Sequence, residues 1–165
     1  QPNFQFGCTL SQMRPAARAG AGLFSVLEVA GGFGIQYGFF RKGRTMQRIM
    51  LKSKIHRATV TGLELDYEGS IAIDEDLMEA ADLLAGEQVQ VLNLQNGERF
   101  ITYVIRGERG TGQMMLNGPA ARLAYKGDTI IVIAYAPMDD AEAKGFQATV
   151  VKVDGQNRIV RVLKK

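Results

Sequence analysis

Asn96-Gly97 is the pair that most narrows what this chain can fold into. It lies between two strand-like runs, Gln88-Val89-Gln90-Val91-Leu92-Asn93-Leu94 and Arg99 to Ile105. A tight reversal between strands needs positive φ, which Asn and Gly adopt at least cost, so a hairpin is expected here. Other short runs repeat the theme: Gln47 to Val60, Ile71 to Ile73, Met114 to Leu116, Thr129 to Ala136, and a last hairpin around Asp154-Gly155. In the first run Ile49, Leu51, Ser53, Ile55 and Arg57 alternate onto one side, leaving Lys54 and His56 together on the other. Asp74 reads as the N-cap of a helix reaching about Leu84, with Glu75 and Asp76 favouring its dipole and Gly86 ending it. That acidic cluster is therefore capping chemistry, not a metal or acid–base site. Asn117-Gly118-Pro119 opens a brief helix through Tyr125, with Pro119 suited to its first position, and Pro137 to Lys144 reads as a polar connection. Patterning alone gives a mostly-β barrel or α+β domain with two or three short helices.

Residues 1–45 are set apart. They hold eight of the nineteen glycines, and they carry Arg14, Arg18, Arg41, Lys42 and Arg44 against a single acid, Glu28. The formal net charge of +3 therefore belongs to this segment, and residues 46–165 have no electrostatic footprint for phosphates. No aromatic ladder suggests nucleic-acid binding either. The segment is read as a leader or upstream extension, faintly like a transit peptide, with Met46 as the natural initiator. No apolar run approaches the ~18 residues of a membrane span. One cysteine, Cys8, fits a reducing compartment, so the cytoplasm is expected. One cysteine and one histidine give no zinc cluster, and no metal is expected.

The chemically loaded stretch is Asp66-Tyr67-Glu68-Gly69-Ser70-Ile71-Ala72-Ile73. Gly69 can take backbone angles closed to other residues, and Ser70 places an oxygen nucleophile next to the bond that precedes it. Attack by Ser70 on the Gly69 carbonyl would convert the amide to an ester. Elimination would leave dehydroalanine, and hydrolysis a ketone. An isolated Gly-Ser is usually a turn, but this one has company. Lys54-Ile55-His56-Arg57 lies upstream; Asn96 to Tyr103, Gly107-Glu108-Arg109-Gly110, Leu116-Asn117-Gly118-Pro119-Ala120-Ala121 and Lys126-Gly127-Asp128 lie downstream. In that order and spacing, from Met46 to about Glu142, the chain resembles the aspartate 1-decarboxylase family.

The resemblance implies a double-psi β-barrel over residues 46–165 and a homotetramer with active sites between subunits. It implies self-cleavage at Gly69-Ser70 and decarboxylation of L-aspartate to β-alanine for pantothenate synthesis. Ser70 becomes a covalent pyruvoyl group that takes the substrate amine as a Schiff base and accepts the electrons left on Cα, so no external cofactor is needed. By the same matching, Thr102 hydrogen-bonds the Gly69 carbonyl during processing and contacts substrate, and Tyr103 protonates the carbanion. Arg99 and Lys54 meet carboxylates; His56 and Tyr67 support the site; Asn117, Gly118, Pro119 and Ala120 hold substrate. Two departures stand out. Leu92 replaces a tryptophan found in a family member, and Pro119 replaces a common alanine, removing one N–H donor. Arg99 and Tyr103 share strand parity while Thr102 opposes them, which calls for a bend or a subunit boundary. Whether a maturation partner assists cleavage is left open. The alternatives are a pyruvoyl enzyme for a related acid such as glutamate, since one methylene changes binding by only ~1–3 kcal/mol, and a β-barrel binding module with the Gly69–Ser70 bond intact.

Overall fold

The computed structural model describes residues 46–165; the leader reading of residues 1–45 lies outside them. Nine strands form one continuous hydrogen-bonded order, β2-β6-β3-β5-β4-β7-β1-β8-β9. In chain order they are β1 (Gln47–Thr59), β2 (Gly62–Glu64), β3 (Ser70–Asp74), β4 (Gln88–Asn93), β5 (Arg99–Gly107), β6 (Met114–Asn117), β7 (Thr129–Asp139), β8 (Thr149–Val153) and β9 (Ile159–Lys164). Helix α1 (Glu75–Ala80), a 3-10 turn (Gly118–Leu123) and helix α2 (Asp140–Gly145) complete it. Three pairings, β1–β8, β2–β6 and β3–β5, are parallel inside an otherwise antiparallel arrangement. The inner face packs Ile55, Ile71, Ile73, Val91, Val104, Leu116, Ile130, Val132 and Val151, all at or near zero exposure.

The expected hairpin is β4–β5. Gly97 has φ +79 and donates to the Asn93 carbonyl, and Asn93 N–H donates to Glu98 at 2.9 Å. The terminal hairpin is β8–β9.

Four expectations change. The alternation along β1 is broken by two irregularities in its pairing with β7, between Leu51 and Ser53 and between His56 and Ala58. A bulge exchanges inside for outside, because side chains repeat every two residues. Ile49 therefore pairs with Pro137 and lies on the outer face, 79% exposed, while Ser53 and Ile55 are buried. Arg57, in the left-handed region at φ 65, is exposed and gives the inward place to Ala58. Helix α1 keeps its Asp74 cap, whose side chain accepts from Asp76 N–H, but it stops at Ala80, not Leu84. Asp82 turns left-handed at φ 52, so Leu83 is buried and Leu84 is left 70% exposed. The segment after Asn117 is a 3-10 turn that ends before Tyr125. The supposed connection after Ala136 continues β7 to Asp139 and then forms α2. Pro137 is tolerated there because it lies beyond the β4 pairing, where one side of β7 has no ladder to complete.

Asn157, buried at φ 62 in the β8–β9 turn, ties this hairpin to the body. Its amide donates to the Thr59 carbonyl at 2.8 Å and the Gly112 carbonyl at 2.7 Å, and its carbonyl accepts from Thr59 N–H at 2.7 Å. Asn157→Ala removes all three bonds and leaves buried backbone groups unpaired. Each such group costs ~1–3 kcal/mol, so a loss of roughly 3 kcal/mol or more is expected in denaturant unfolding. An unchanged midpoint would show that water replaces the side chain there.

Candidate active site

Gly69 and Ser70 form the junction between an exposed acidic loop and the start of β3. Both have positive φ, 111° and 148°. The first is ordinary for glycine; the second is not for serine, whose Cβ disfavours that region. The strained residue is also sealed. Ser70 is 0% exposed, and Asn117 Nδ2 donates to its Oγ at 2.8 Å. Strand register explains the contact, since Ser70 stands opposite Asn117 in the β3–β6 ladder. Asn117 Oδ1 is buried with no partner, so one acceptor remains unspent beside the Ser70 hydroxyl.

Gly118 sits under the same junction with φ +59. A Cβ there would lie 2.5 Å from the Tyr67 carbonyl oxygen and 2.7 Å from Gly69 N, so only glycine lets the two segments meet. Pro119 borders the junction, its Cδ 3.8 Å from where a Gly69 Cβ would be. Ala120 is buried behind it, and Tyr67 is half exposed in the loop. The far end of β3 is anchored by buried Asp74, which accepts from Gly110 N–H at 3.1 Å and Gly112 N–H at 2.6 Å. Arg109 adds ion pairs to Glu75, Asp76 and Glu79, so the acidic cluster caps α1 and also fastens it to the β5–β6 loop.

Thr102 and Tyr103 lie on β5, the strand that pairs with β3. Ile71 is level with Val104 in the parallel β3–β5 ladder. Continuing that register backwards sets Tyr103 level with Ser70 and Thr102 level with Gly69. Among the described residues no hydrogen bond joins either side chain to Gly69 or Ser70.

Lys54, His56 and Arg99 lie elsewhere on the sheet. Arg99 faces Leu92, Leu92 faces Ile131, and Ile131 faces His56, a single row across β5, β4, β7 and β1. The adjacent row runs Ile101, Gln90, Ile133, Lys54. Along the sheet three strand spacings of ~4.8 Å lie between β1 and β5, and a fourth between β5 and β3. Among the described residues no hydrogen bond or ion pair joins Lys54, His56 or Arg99 to Ser70. Ile131, the residue between Leu92 and His56, was not visible in the sequence, since only cross-strand register brings it into the row. Arg99 spends one donor on Gln90 Oε1, at 3.0 Å. The histidine is held below its ordinary pKa, first by burial and then by the charges of Lys54, Lys152, Arg57 and Lys165.

This geometry can be set beside known proteins. A family model described as aspartate decarboxylase matches residues 46–160. The chain belongs to the aspartate decarboxylase family. Its mostly-β architecture with a few short helices is that family's double-psi barrel fold. The aspartate 1-decarboxylase of Thermoanaerobacter pseudethanolicus is 58% identical over 117 residues, covering 71% of this chain and all of the relative. The aspartate 1-decarboxylase of Pelotomaculum thermopropionicum is 62% identical over 113 residues, 68% of this chain and 86% of that protein. That of Syntrophus aciditrophicus is 60% identical over 114 residues, 69% and 98% of the two chains. Among the described residues of this family member, no helix is long and apolar enough to cross a membrane, and no three His, Cys, Asp or Glu side chains cluster as metal ligands do.

Proposed function

We propose that this protein decarboxylates L-aspartate to β-alanine and carbon dioxide in the cytoplasm, for pantothenate synthesis, after cutting its own chain between Gly69 and Ser70. The observation that carries the reading is the junction itself: a serine at φ 148, fully buried, with its oxygen held by Asn117. Strain raises the energy of the uncut link, and burial shields the ester from bulk water, leaving a single water to be admitted for the later hydrolysis that gives the ketone. Asn117 donates to Oγ, which leaves a lone pair to attack the Gly69 carbonyl carbon; as the Gly69–Ser70 C–N bond breaks, the Ser70 nitrogen takes up the hydroxyl proton. Thr102, level with Gly69, supplies a hydroxyl donor for the carbonyl oxygen as it takes on charge.

Residue 70 is a fitting place for a pyruvoyl group. Ser70 is fully buried, Asn117 Nδ2 can donate to an oxygen there, and the amide hydrogens of Gly118 and Ala120 lie in the adjoining turn. Once formed, the pyruvoyl group supplies an electron sink for the bond that loses carbon dioxide. Tyr103, level with that residue, carries the phenol that returns a proton to Cα. Arg99 and Lys54 grip carboxylates, with His56, Leu92 and Ile131 as the wall between them.

A homotetramer completes the site. Its support is the place of Lys54 and His56 on β1, four strands along the sheet from the β3 that carries Ser70, together with an apolar outer face. That face carries a hollow of about 350 Å³ lined by Ile49, Gln88, Gln90, Ile101, Tyr135 and Pro137. Ile49 and Ile101 are 79% and 63% exposed, which suits a surface covered by another copy. Residues 1–45 are read as a leader outside the catalytic domain.

The deciding experiment combines intact mass with product analysis. Purified protein should contain a fragment beginning at residue 70 with a blocked N-terminus, and should release β-alanine from L-aspartate far faster than the corresponding product from L-glutamate. A chain beginning at Met46 should do the same. Uncut protein that remains inert toward both amino acids would overturn the assignment in favour of a binding module.

A further inference from the structure

The row that crosses the outer face does not stop at β1. His56 is level with Lys152 in the parallel β1–β8 ladder, and Lys152 is level with Arg161 in the β8–β9 ladder. Neighbouring strands are ~4.8 Å apart, and level residues share a face, so the Lys152 stem starts beside the imidazole. Lys152 is exposed, and among the described residues it forms no salt bridge.

The groups around His56 are one-sided. Its own strand brings Lys54 and Arg57, β8 brings Lys152, and the end of the chain brings Lys165. On β7 its level partner is the uncharged Ile131. The leading charges that act on it are all cations. The ring's Nδ1 is buried without a partner. Protonating it would create a buried N–H with no acceptor, in a field already positive. The neutral ring with its hydrogen on Nε2 avoids both costs.

We propose that Lys152 is a positioning residue for the substrate-binding face: lying level with His56, it opposes protonation of the imidazole, which meets the aspartate substrate as a neutral Nε2–H donor. The proposal rests on the reading of His56 as part of that face. The terminal hairpin then has a chemical job beyond packing. Charge for the carboxylates comes from Arg99 and Lys54, while His56 contributes a directional hydrogen bond.

The chain has one histidine, so a single labelled Cε1–H resonance reports its titration without assignment. The direction follows from the sign of the charge. A cation lowers the midpoint, so removing it must raise the midpoint, and an anion must raise it further. Lys152→Gln should move the His56 midpoint up, Lys152→Glu further up, and Lys152→Arg should leave it in place. The acid limb of kcat/KM for aspartate should move to higher pH in step. At the acid end of the profile Lys152→Glu should lose roughly three- to tenfold in kcat/KM, the equivalent of a half to one unit displacement. Lys152 is on the surface, so these variants should fold. A midpoint unmoved by Lys152→Glu overturns the proposal. So does a midpoint that moves while the pH profile stays put, since the charge of His56 would then be irrelevant to the site. If the parent chain makes no β-alanine, it is the decarboxylase reading that fails, and the titration alone decides whether Lys152 controls His56.

Discussion

Ser70→Ala should give a protein that stays in one piece and makes no β-alanine above background. Alanine keeps the Cβ, so the substitution leaves the φ of residue 70 as strained as before and removes only the hydroxyl. Packing should survive as well, because the lost atom is a single oxygen in a buried place. What disappears is the nucleophile, and with it the only source of the ketone. Asn117 Nδ2 loses its acceptor, at a cost of ~1–3 kcal/mol, which a domain of this size can absorb. The measurement is a denaturing gel for the cut and an amino-acid assay for the product, on protein shown by circular dichroism to be folded. A chain that still divides at this bond would mean that another group attacks Gly69.

The second large effect separates making the catalytic group from using it. Carried back from Ile71 and Val104, the β3–β5 register would set Thr102 level with Gly69 and Tyr103 level with Ser70, and the proposal gives these adjacent side chains different halves of the link. Thr102→Val keeps the shape and loses the donor, and uncut chain should accumulate. Removing one oxyanion donor typically costs ~10²–10³ in rate, enough to follow as a slow change on a gel. Tyr103→Phe keeps the ring and loses the proton, so it should cut normally and turn over slowly. General acid catalysis is usually worth ~10²–10⁴, and the deficit should appear in turnover per cut chain. Parental turnover by Tyr103→Phe would send the search for the proton donor to His56 or a bound water.

Much of this was legible in the sequence, and the misses have physical causes. The β4–β5 hairpin announced itself because Asn96-Gly97 is local chemistry, needing nothing beyond its own neighbours. The Asp74 cap was readable for the same reason. The faces of β1 were not, because a bulge is fixed by the partner strand: Lys52 and Arg57 carry no mark that says where the alternation breaks. Helix α1 was overextended because Leu84 keeps helical spacing, whereas burying Leu83 required a left-handed turn at Asp82. Gly69-Ser70 stood out through its motif, but the strain at Ser70 and the hold of Asn117 are properties of β3 lying against β6. The row from Arg99 through Ile131 to Lys152 is purely a matter of register. Pattern in one dimension gives residue types and spacing; which residues stand level depends on strands far apart in the chain.

The position of β1 has a consequence for what the proposed cut leaves behind. This strand lies upstream of Gly69, yet it is held between β7 and β8, both from the downstream piece. Severing the chain therefore frees nothing, because the smaller piece is woven into the middle of the larger. It does change the molecularity of folding. Before the cut, every contact between β1 and its neighbours forms within one chain; afterwards the same contacts require an encounter between two. Uncut protein diluted out of denaturant should recover at a rate independent of its concentration in the step that forms the subunit. The mature protein should recover as a second-order process that fails on dilution. The fold is then acquired once, by the precursor, and the mature enzyme keeps it as an inheritance that it cannot readily rebuild.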